Sequence, residues 1–265
     1  MSTVQHGENV IHYDIRGSGE PILLFNHSGT SNLSWSERFL EGLAAEHTII
    51  TPDHRGTGGS SPAAEGLCMV DLAQDGIAVL RQEGIDRAAA VGASMGGAVA
   101  QEFALAFPEV VDSLVLLGTY AGESVRVAPE PWVDEVYSRI FQEPDVVKRW
   151  RMLLPTVYGA GFLERHEEVA LELELKGARY TSNETLERHG AAVRAFDAFE
   201  RLPDLDVRTL VVHGTADPII PIANGELLAD RIRNSELLRL EGVGHLPATE
   251  RPFEVADRIR RFIWS

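Results

Sequence analysis

The stretch AAAVGASMGGAVAQEFALAF, residues 88–107, runs from a short apolar segment of strand length into a longer apolar segment of helix length. Gly92, Ser94 and Gly96 stand at the junction as G-x-S-x-G. A strand that turns sharply into a helix holds its turning residue in a strained backbone conformation, and small neighbours let the chain pass without a clash. Ser94 is then expected at the top edge of a sheet, at a helix N-terminus whose dipole favours developing negative charge. A glycine-rich helix start serving only close packing gives the same pattern, so the surrounding sequence decides between the two.

Outward from this junction, short apolar or β-branched runs recur at 48–52 (TIITP), 113–118 (SLVLLG), 208–213 (RTLVVH) and 236–240 (ELLRL). Segments of helical period lie between them, near 34–46, 69–83, 95–107, 223–232 and 252–264. Such alternation, with strands this apolar, predicts the α/β class: a mostly parallel central sheet with helices on both faces. Residues 10–16 (VIHYDIR) and 21–26 (PILLFN) flank the Gly-rich RGSGE and suggest an opening antiparallel hairpin. From about 121 to 203 the strand signal gives way to helical stretches carrying Trp, Tyr, Phe and Arg. The chain is therefore expected to form a core from 1–120 and 204–265, with 121–203 as an inserted helical lid. In an open sheet of this kind ligands bind off the carboxyl ends of the strands, where such an insertion would cover them. A helical subdomain that only adds bulk is the plainer alternative.

The formal charge is −16, from 40 acidic and 24 basic side chains, which argues against nucleic acid and anionic membrane as partners. The opening MSTVQHGENVIHY has neither a basic leader nor an apolar run of signal-peptide length, so a cytoplasmic protein is expected. The single cysteine, Cys68, allows no internal disulfide and reads as a helix-packing residue. Neither a metal nor a cofactor is expected.

A serine nucleophile needs an imidazole to take its proton and a carboxylate to orient that imidazole. Asp217 follows a strand directly in RTLVVHGTADPIIP, and His245 follows the next strand in ELLRLEGVGHLPATERP. Taken singly, Asp217 could cap a turn before Pro218 and His245 could be a surface loop residue; together with Ser94 they fall in the order Ser, Asp, His. The other histidines fit the role of base less well. His213 lies inside a strand run, His47 and His189 read as helix-surface positions, and His6 and His12 fall before or within the first hairpin. His27 and His54 sit at strand ends facing the same crevice. For the developing oxyanion, one backbone N–H is expected from Met95 and a second from FNHSGTSN, with Thr30 preferred and Ser28 as fallback. DHRGTGGSS, beginning at Asp53, lacks the ending of a phosphate loop and reads as a rigid turn held by Asp53 and Arg55.

Taken together, FNHSGT, DHRGTGGS, VGASMGG, VVHGTADPIIP and GVGHLPATERP resemble the α/β-hydrolase superfamily over nearly the whole length. Within it the chain looks most like the 3-oxoadipate enol-lactonase and small serine esterase branch. An N-S-L-G-T-like loop stands there where this chain has Asn26, His27, Ser28, Gly29 and Thr30, and a tryptophan opens the lid where this chain has Trp132. The resemblance implies a catalytic triad of Ser94, Asp217 and His245 and a carboxylic ester or lactone cleaved through an acyl-enzyme. Ser94 argues against the haloalkane dehalogenases and epoxide hydrolases, which carry aspartate at this turn. His27, Ser28, Trp35, Trp132, Tyr137, Phe141, Trp150 and Tyr158 are candidate substrate-binding residues, which suits an apolar or aromatic small molecule. Cofactor-free perhydrolase (haloperoxidase) activity and carbon–carbon hydrolysis of a β-diketone use the same triad. A ligand receptor with little turnover is a reading of another class, and a homodimer is compatible with all of these.

Overall fold

Side chains alternate across a strand, so a continuous apolar run builds two cores at once. In the computed structural model, which describes residues 2–140 and 142–263, Leu23 and Phe25 enter one core while Ile22 and Leu24 enter the other. Among the described residues eight strands form one sheet: β1 (Ser2–His6), β2 (Asn9–Gly17), β3 (Glu20–Phe25), β4 (His47–Pro52), β5 (Ala88–Ala93), β6 (Val111–Leu117), β7 (Thr209–Gly214) and β8 (Ser235–Leu240). Their order in space is β1-β2-β4-β3-β5-β6-β7-β8. β1 and β2 run antiparallel to their neighbours, and every pairing from β4 to β8 is parallel.

The helices are α1 (Glu37–Ala44), α2 (Met69–Gln82), α3 (Met95–Ala106), α4 (Pro131–Ile140), α5 (Val146–Val157), α6 (Ala160–Gly177), α7 (Asn183–Ala195), α8 (Ile222–Arg231), α9 (Pro247–Glu250) and α10 (Pro252–Ile263). α1 and α10 cover one face with Phe39, Leu43, Val255 and Ile259. α2 and α3 cover the other with Leu72, Leu80, Val99 and Phe103. Every residue of β5 is buried, so the strand leading to Ser94 lies at the centre of both cores.

The expected hairpin between 10–16 and 21–26 does not form. β4 lies between β2 and β3, and the opening hairpin is one strand earlier, with His6 opposite Asn9. Gly17 and Gly19 are glycines for a different reason than a hairpin turn. A Cβ on Gly17 would fall 2.1 Å from His47 O, and one on Gly19 would fall 2.2 Å from Glu46 O, because the start of β4 passes against them. His47, expected on a helix surface, is thereby the buried first residue of β4. Cys68 packs in no helix interface: it is exposed and N-caps α2, where Asp71 accepts its backbone N–H.

α4 to α7 all lie between β6 and β7. The chain leaves and re-enters the core at one place: Ala198 N donates to Ala121 O at 2.9 Å, and Glu123 N donates to Phe196 O at 3.0 Å. Asp145 and Ser182 cap α5 and α7 by accepting from backbone N–H groups of the first turn.

Candidate active site

β5 ends and α3 begins within one residue. Ser94 has φ 54° and ψ −119°, and among the described residues it alone is a non-glycine with positive φ. Such a conformation costs about 1–3 kcal/mol and persists only where its surroundings enforce it. Here Ser94 N donates to Leu117 O at 2.9 Å, while Ser94 O accepts from Gly97 N, Ala98 N and the Thr119 hydroxyl. The two glycines of the motif permit this crossing. A Cβ on Gly92 would lie 2.0 Å from Gly96 O, and one on Gly96 would lie 2.1 Å from Phe25 O. Both contacts are with backbone, which cannot swing away. Gly96→Ala is therefore expected to cost roughly 3 kcal/mol or more in urea unfolding; an unchanged midpoint would contradict the close approach.

His245 and Asp217 arrive from the loops after β8 and β7. His245 Nε2 lies 2.8 Å from Ser94 Oγ, and its Nδ1 lies 2.7 Å from Asp217 Oδ2. The turn-capping reading of Asp217 holds as well. Its other oxygen, Oδ1, accepts from Ile219 N at 3.0 Å and Ile220 N at 2.9 Å, so one carboxylate shapes its own turn and orients the imidazole. His213, set aside in the sequence as a strand residue, is fully buried beneath it, donating to Ile220 O with Nε2 3.5 Å from Asp217 Oδ2. Burial alone would raise the Asp217 pKa, but the charge of His245 and hydrogen bonds from both histidines outweigh it and hold the carboxyl at about 2.

The His245 loop is pinned by the inserted helices. His245 N donates to Val157 O at 2.7 Å, at the end of α5, and Glu250 Oε1 accepts from both Gly159 N and Gly244 N. On the opposite side, the loop after β3 meets the junction through Gly96. In that loop Gly29 N donates to His189 and Ser31 N to Gly177 O, whereas the amides of Ser28 and Thr30 have no partner among the described residues. The same is true of the Met95 amide at the start of α3. His189, expected on a helix surface, is buried and carries the loop: its Nδ1 accepts from Gly29, and its Nε2 donates to Arg55 O. The turn from Asp53 is held as its sequence suggests, by Asp53 accepting from Asn32 N and Gly59 N and by Arg55 gripping Asp75.

The substrate-binding candidates divide. His27 is half-buried, and burial together with the charge of neighbouring His245 lowers it to about 3, so it is a neutral imidazole beside the junction. Ser28 is exposed next to it. His27, Trp35, Ala93 and Leu246 wall a void of about 10 Å³ with Ser34 and Thr249, room for one water-sized group. Tyr137 keeps 37% of its surface open, and burial of its ring end, partly offset by Thr156, raises its hydroxyl above the ordinary value. Trp132 is 40% exposed at the start of α4. Trp150 packs among the inserted helices against the cluster of Leu154, Tyr158 and Leu171. Tyr158 is buried, stacked on Phe162 and donating its hydroxyl to Glu174 at 2.5 Å. Phe141 lies outside the described residues.

Glu174 and Glu250 escaped the sequence reading. For Glu174 a signal existed: the buried positions of α6 are Ala170, Leu171, Glu174 and Gly177, a helical stripe in which one member is an acid. Burial pushes its carboxyl up from 4.5 to about 7, against the pull of the Tyr158 hydroxyl and His245. A carboxyl raised on folding gives stability that is whole below the unfolded value and lost as pH rises through the folded one. Replacing it with an uncharged side chain should remove that loss. The melting midpoint of Glu174→Gln relative to wild type is thus expected to rise between pH 5 and pH 8, by roughly 5–10 °C if the full shift of about 3 kcal/mol is expressed. A difference that does not change with pH would contradict it.

A strained serine, an imidazole and a buried carboxylate in hydrogen-bonded series, at the carboxyl ends of a mostly parallel sheet, define a hydrolase of the α/β-hydrolase class. The sequence profile of the alpha/beta hydrolase fold matches residues 21–252, and the chain belongs to that family. It is 33% identical to a poly(3-hydroxyalkanoate) depolymerase of Ectopseudomonas oleovorans, over 92% of this chain and 84% of that one. A putative carbamate hydrolase RutD of Azorhizobium caulinodans is 30% identical (92% and 91% covered), and 3-oxoadipate enol-lactonase 2 of Acinetobacter baylyi is 27% identical (88% and 84%). Among solved structures, Est816, described as an N-acyl homoserine lactone degrading enzyme, superposes with TM-score 0.83 at 29% identity, covering 98% of this chain and all of that one. No helix among the described residues is long and apolar enough to cross a membrane.

Proposed function

We propose that the protein is a serine hydrolase that cleaves a carboxylic ester or lactone of a small, largely apolar molecule through an acyl-enzyme on Ser94. The observation that carries this reading is the unbroken relay from Ser94 Oγ through His245 to Asp217, at 2.8 and 2.7 Å. His245 takes the Ser94 proton as Oγ attacks the carbonyl carbon, and Asp217 stays ionised to hold the tautomer and stabilise the imidazolium. The tetrahedral oxyanion is received by the Met95 amide and by an amide of the loop after β3, Thr30 or Ser28. His245 then gives its proton to the leaving oxygen, and a water deprotonated by the same imidazole releases the acid. α4 to α7 act as the lid, with Tyr137 and Trp132 at its entrance. The names of the relatives support this reading: a poly(3-hydroxyalkanoate) depolymerase and a 3-oxoadipate enol-lactonase stand among them.

A panel of p-nitrophenyl esters and lactones, each with and without hydrogen peroxide, tests the reading. Turnover of esters or lactones without peroxide is the expected result. Activity confined to peroxide, or to β-diketones, would replace it with one of the alternative chemistries. Covalent labelling by a fluorophosphonate with no product from any substrate would indicate a receptor.

A further inference from the structure

The loop after β3 is held by the inserted helices at alternate amides. Gly29 N donates to His189 Nδ1 of α7 at 3.1 Å, and Ser31 N donates to Gly177 O at the end of α6 at 2.9 Å. The amides left over, Ser28 and Thr30, are the two candidate oxyanion donors. Gly29 has φ 72°, and a Cβ there would lie 2.4 Å from Leu186 Cδ2. Leu186 and His189 stand three positions apart on one face of α7, so the helix packs on the glycine with one side chain and takes its amide with the other. Thr185 of the same helix donates from Oγ1 to Gly56 O at 3.2 Å, which ties α7 to the turn from Asp53 as well.

His189 is itself fixed. It is fully buried, its Nε2 donates to Arg55 O at 2.9 Å, and the ring of His54 stands edge-on to it with centroids 6.3 Å apart. Arg55 is in turn gripped by both oxygens of Asp75, each at 2.8 Å. With the proton on Nε2, Nδ1 presents a lone pair to Gly29, and burial lowers the imidazole's pKa and keeps it neutral. An apolar side chain at 189 would leave the buried Gly29 N–H without this acceptor. Turning that peptide plane to find another would change the backbone angles on either side, and with them the direction of the Ser28 and Thr30 amides.

We propose that His189 is a positioning residue for the reaction: by binding the Gly29 amide to the inserted helices it aims the amide of Thr30 or Ser28 at the substrate's carbonyl oxygen, so that the oxyanion site is complete only while α7 is docked on the loop. The proposal rests on the acyl-enzyme reading above. An interaction that acts only in the transition state lowers kcat and kcat/KM equally when it is lost. Deleting an oxyanion donor outright costs about 10²–10³ in kcat, so misaiming one should cost less, about ten- to a hundredfold.

Two carboxamides separate the two bonds of the imidazole. His189→Asn sets an oxygen near the place of Nδ1 and keeps the acceptor for Gly29, whereas His189→Gln sets a nitrogen near the place of Nε2 and keeps the donor to Arg55 O. Turnover of the p-nitrophenyl ester that wild type uses best is measured per active site, counted by fluorophosphonate titration, alongside a thermal melt. His189→Leu and His189→Gln are expected to lose about ten- to a hundredfold in kcat per site with KM unchanged, and His189→Asn to keep most of the wild-type kcat. A structural His189 would lower the melting midpoint and the number of titratable sites in every variant while leaving kcat per site unmoved, and that result overturns the proposal. So does an equal loss of kcat in Asn and Gln. Wild type supplies a check that needs no variant: nitrogen-15 NMR should show a coupling across the N–H···N hydrogen bond between Gly29 and His189 Nδ1, and its absence overturns the proposal even if none of the variants folds. Wild type that turns over no ester or lactone would sink the acyl-enzyme reading, and this proposal with it, whether or not the coupling is seen.

Discussion

Replacing Ser94 by alanine is expected to lower kcat/KM on a p-nitrophenyl ester by about 10⁵-fold or more, with no loss of folded protein. The size follows from the relay. Without Oγ no acyl-enzyme can form, and the remaining site offers only binding, oxyanion stabilisation and an imidazole beside an unpositioned water. The fold should be indifferent, because the change deletes one oxygen from a half-exposed side chain while every contact that holds the turn is made by backbone atoms of residue 94. Steady-state kinetics alongside a thermal melt separates the two effects. Residual activity above about 1% of wild type would mean that another group is attacked or attacks.

The second large effect is graded across the two partners of the serine. His245→Ala should approach the Ser94→Ala value, because it removes the imidazole that is hydrogen-bonded to Oγ. Asp217→Asn is the more informative change. An asparagine oxygen can still accept from Ile219 N and Ile220 N, so the turn survives. Its amide would face His245 Nδ1 with a donor where an acceptor is needed, which selects the wrong tautomer and should cost about 10⁴-fold in kcat. Asp217→Ala removes both roles, and its melting midpoint should fall as well. If Asp217→Asn unfolded the protein while leaving specific activity intact, the carboxylate would be a turn residue only.

Much of this arrangement was readable from residues alone, because the relevant signals are local. The apolar runs at 48–52, 88–92, 113–118, 208–213 and 236–240 each became a parallel strand, and the flanking periods became helices within a few residues of their expected ends. G-x-S-x-G was legible because the steric demand of the crossing falls on three residues of one turn. What failed was non-local. Nothing in RGSGE distinguishes a glycine turning a hairpin from one admitting a strand that arrives almost thirty residues later, so β4 was not seen between β2 and β3. His47 and His189 were misplaced for the same reason, since their burial comes from distant partners, Glu20 for one and Gly29 and Arg55 for the other. Aromatic residues were a poor guide to the cleft. Trp150 and Tyr158 carry the packing of the inserted helices, and Tyr158 is held there by the buried acid Glu174.

The most direct measurement traps the covalent intermediate. Wild type is mixed with a p-nitrophenyl ester, quenched in acid within the first turnovers and digested for peptide mass spectrometry, with Ser94→Ala treated in parallel. The expected result is a single acyl adduct on the peptide containing Ser94, matched by a burst of p-nitrophenol and absent from the variant. An adduct on any other residue, or identical adducts in the two proteins, would contradict the assignment of Ser94 as nucleophile.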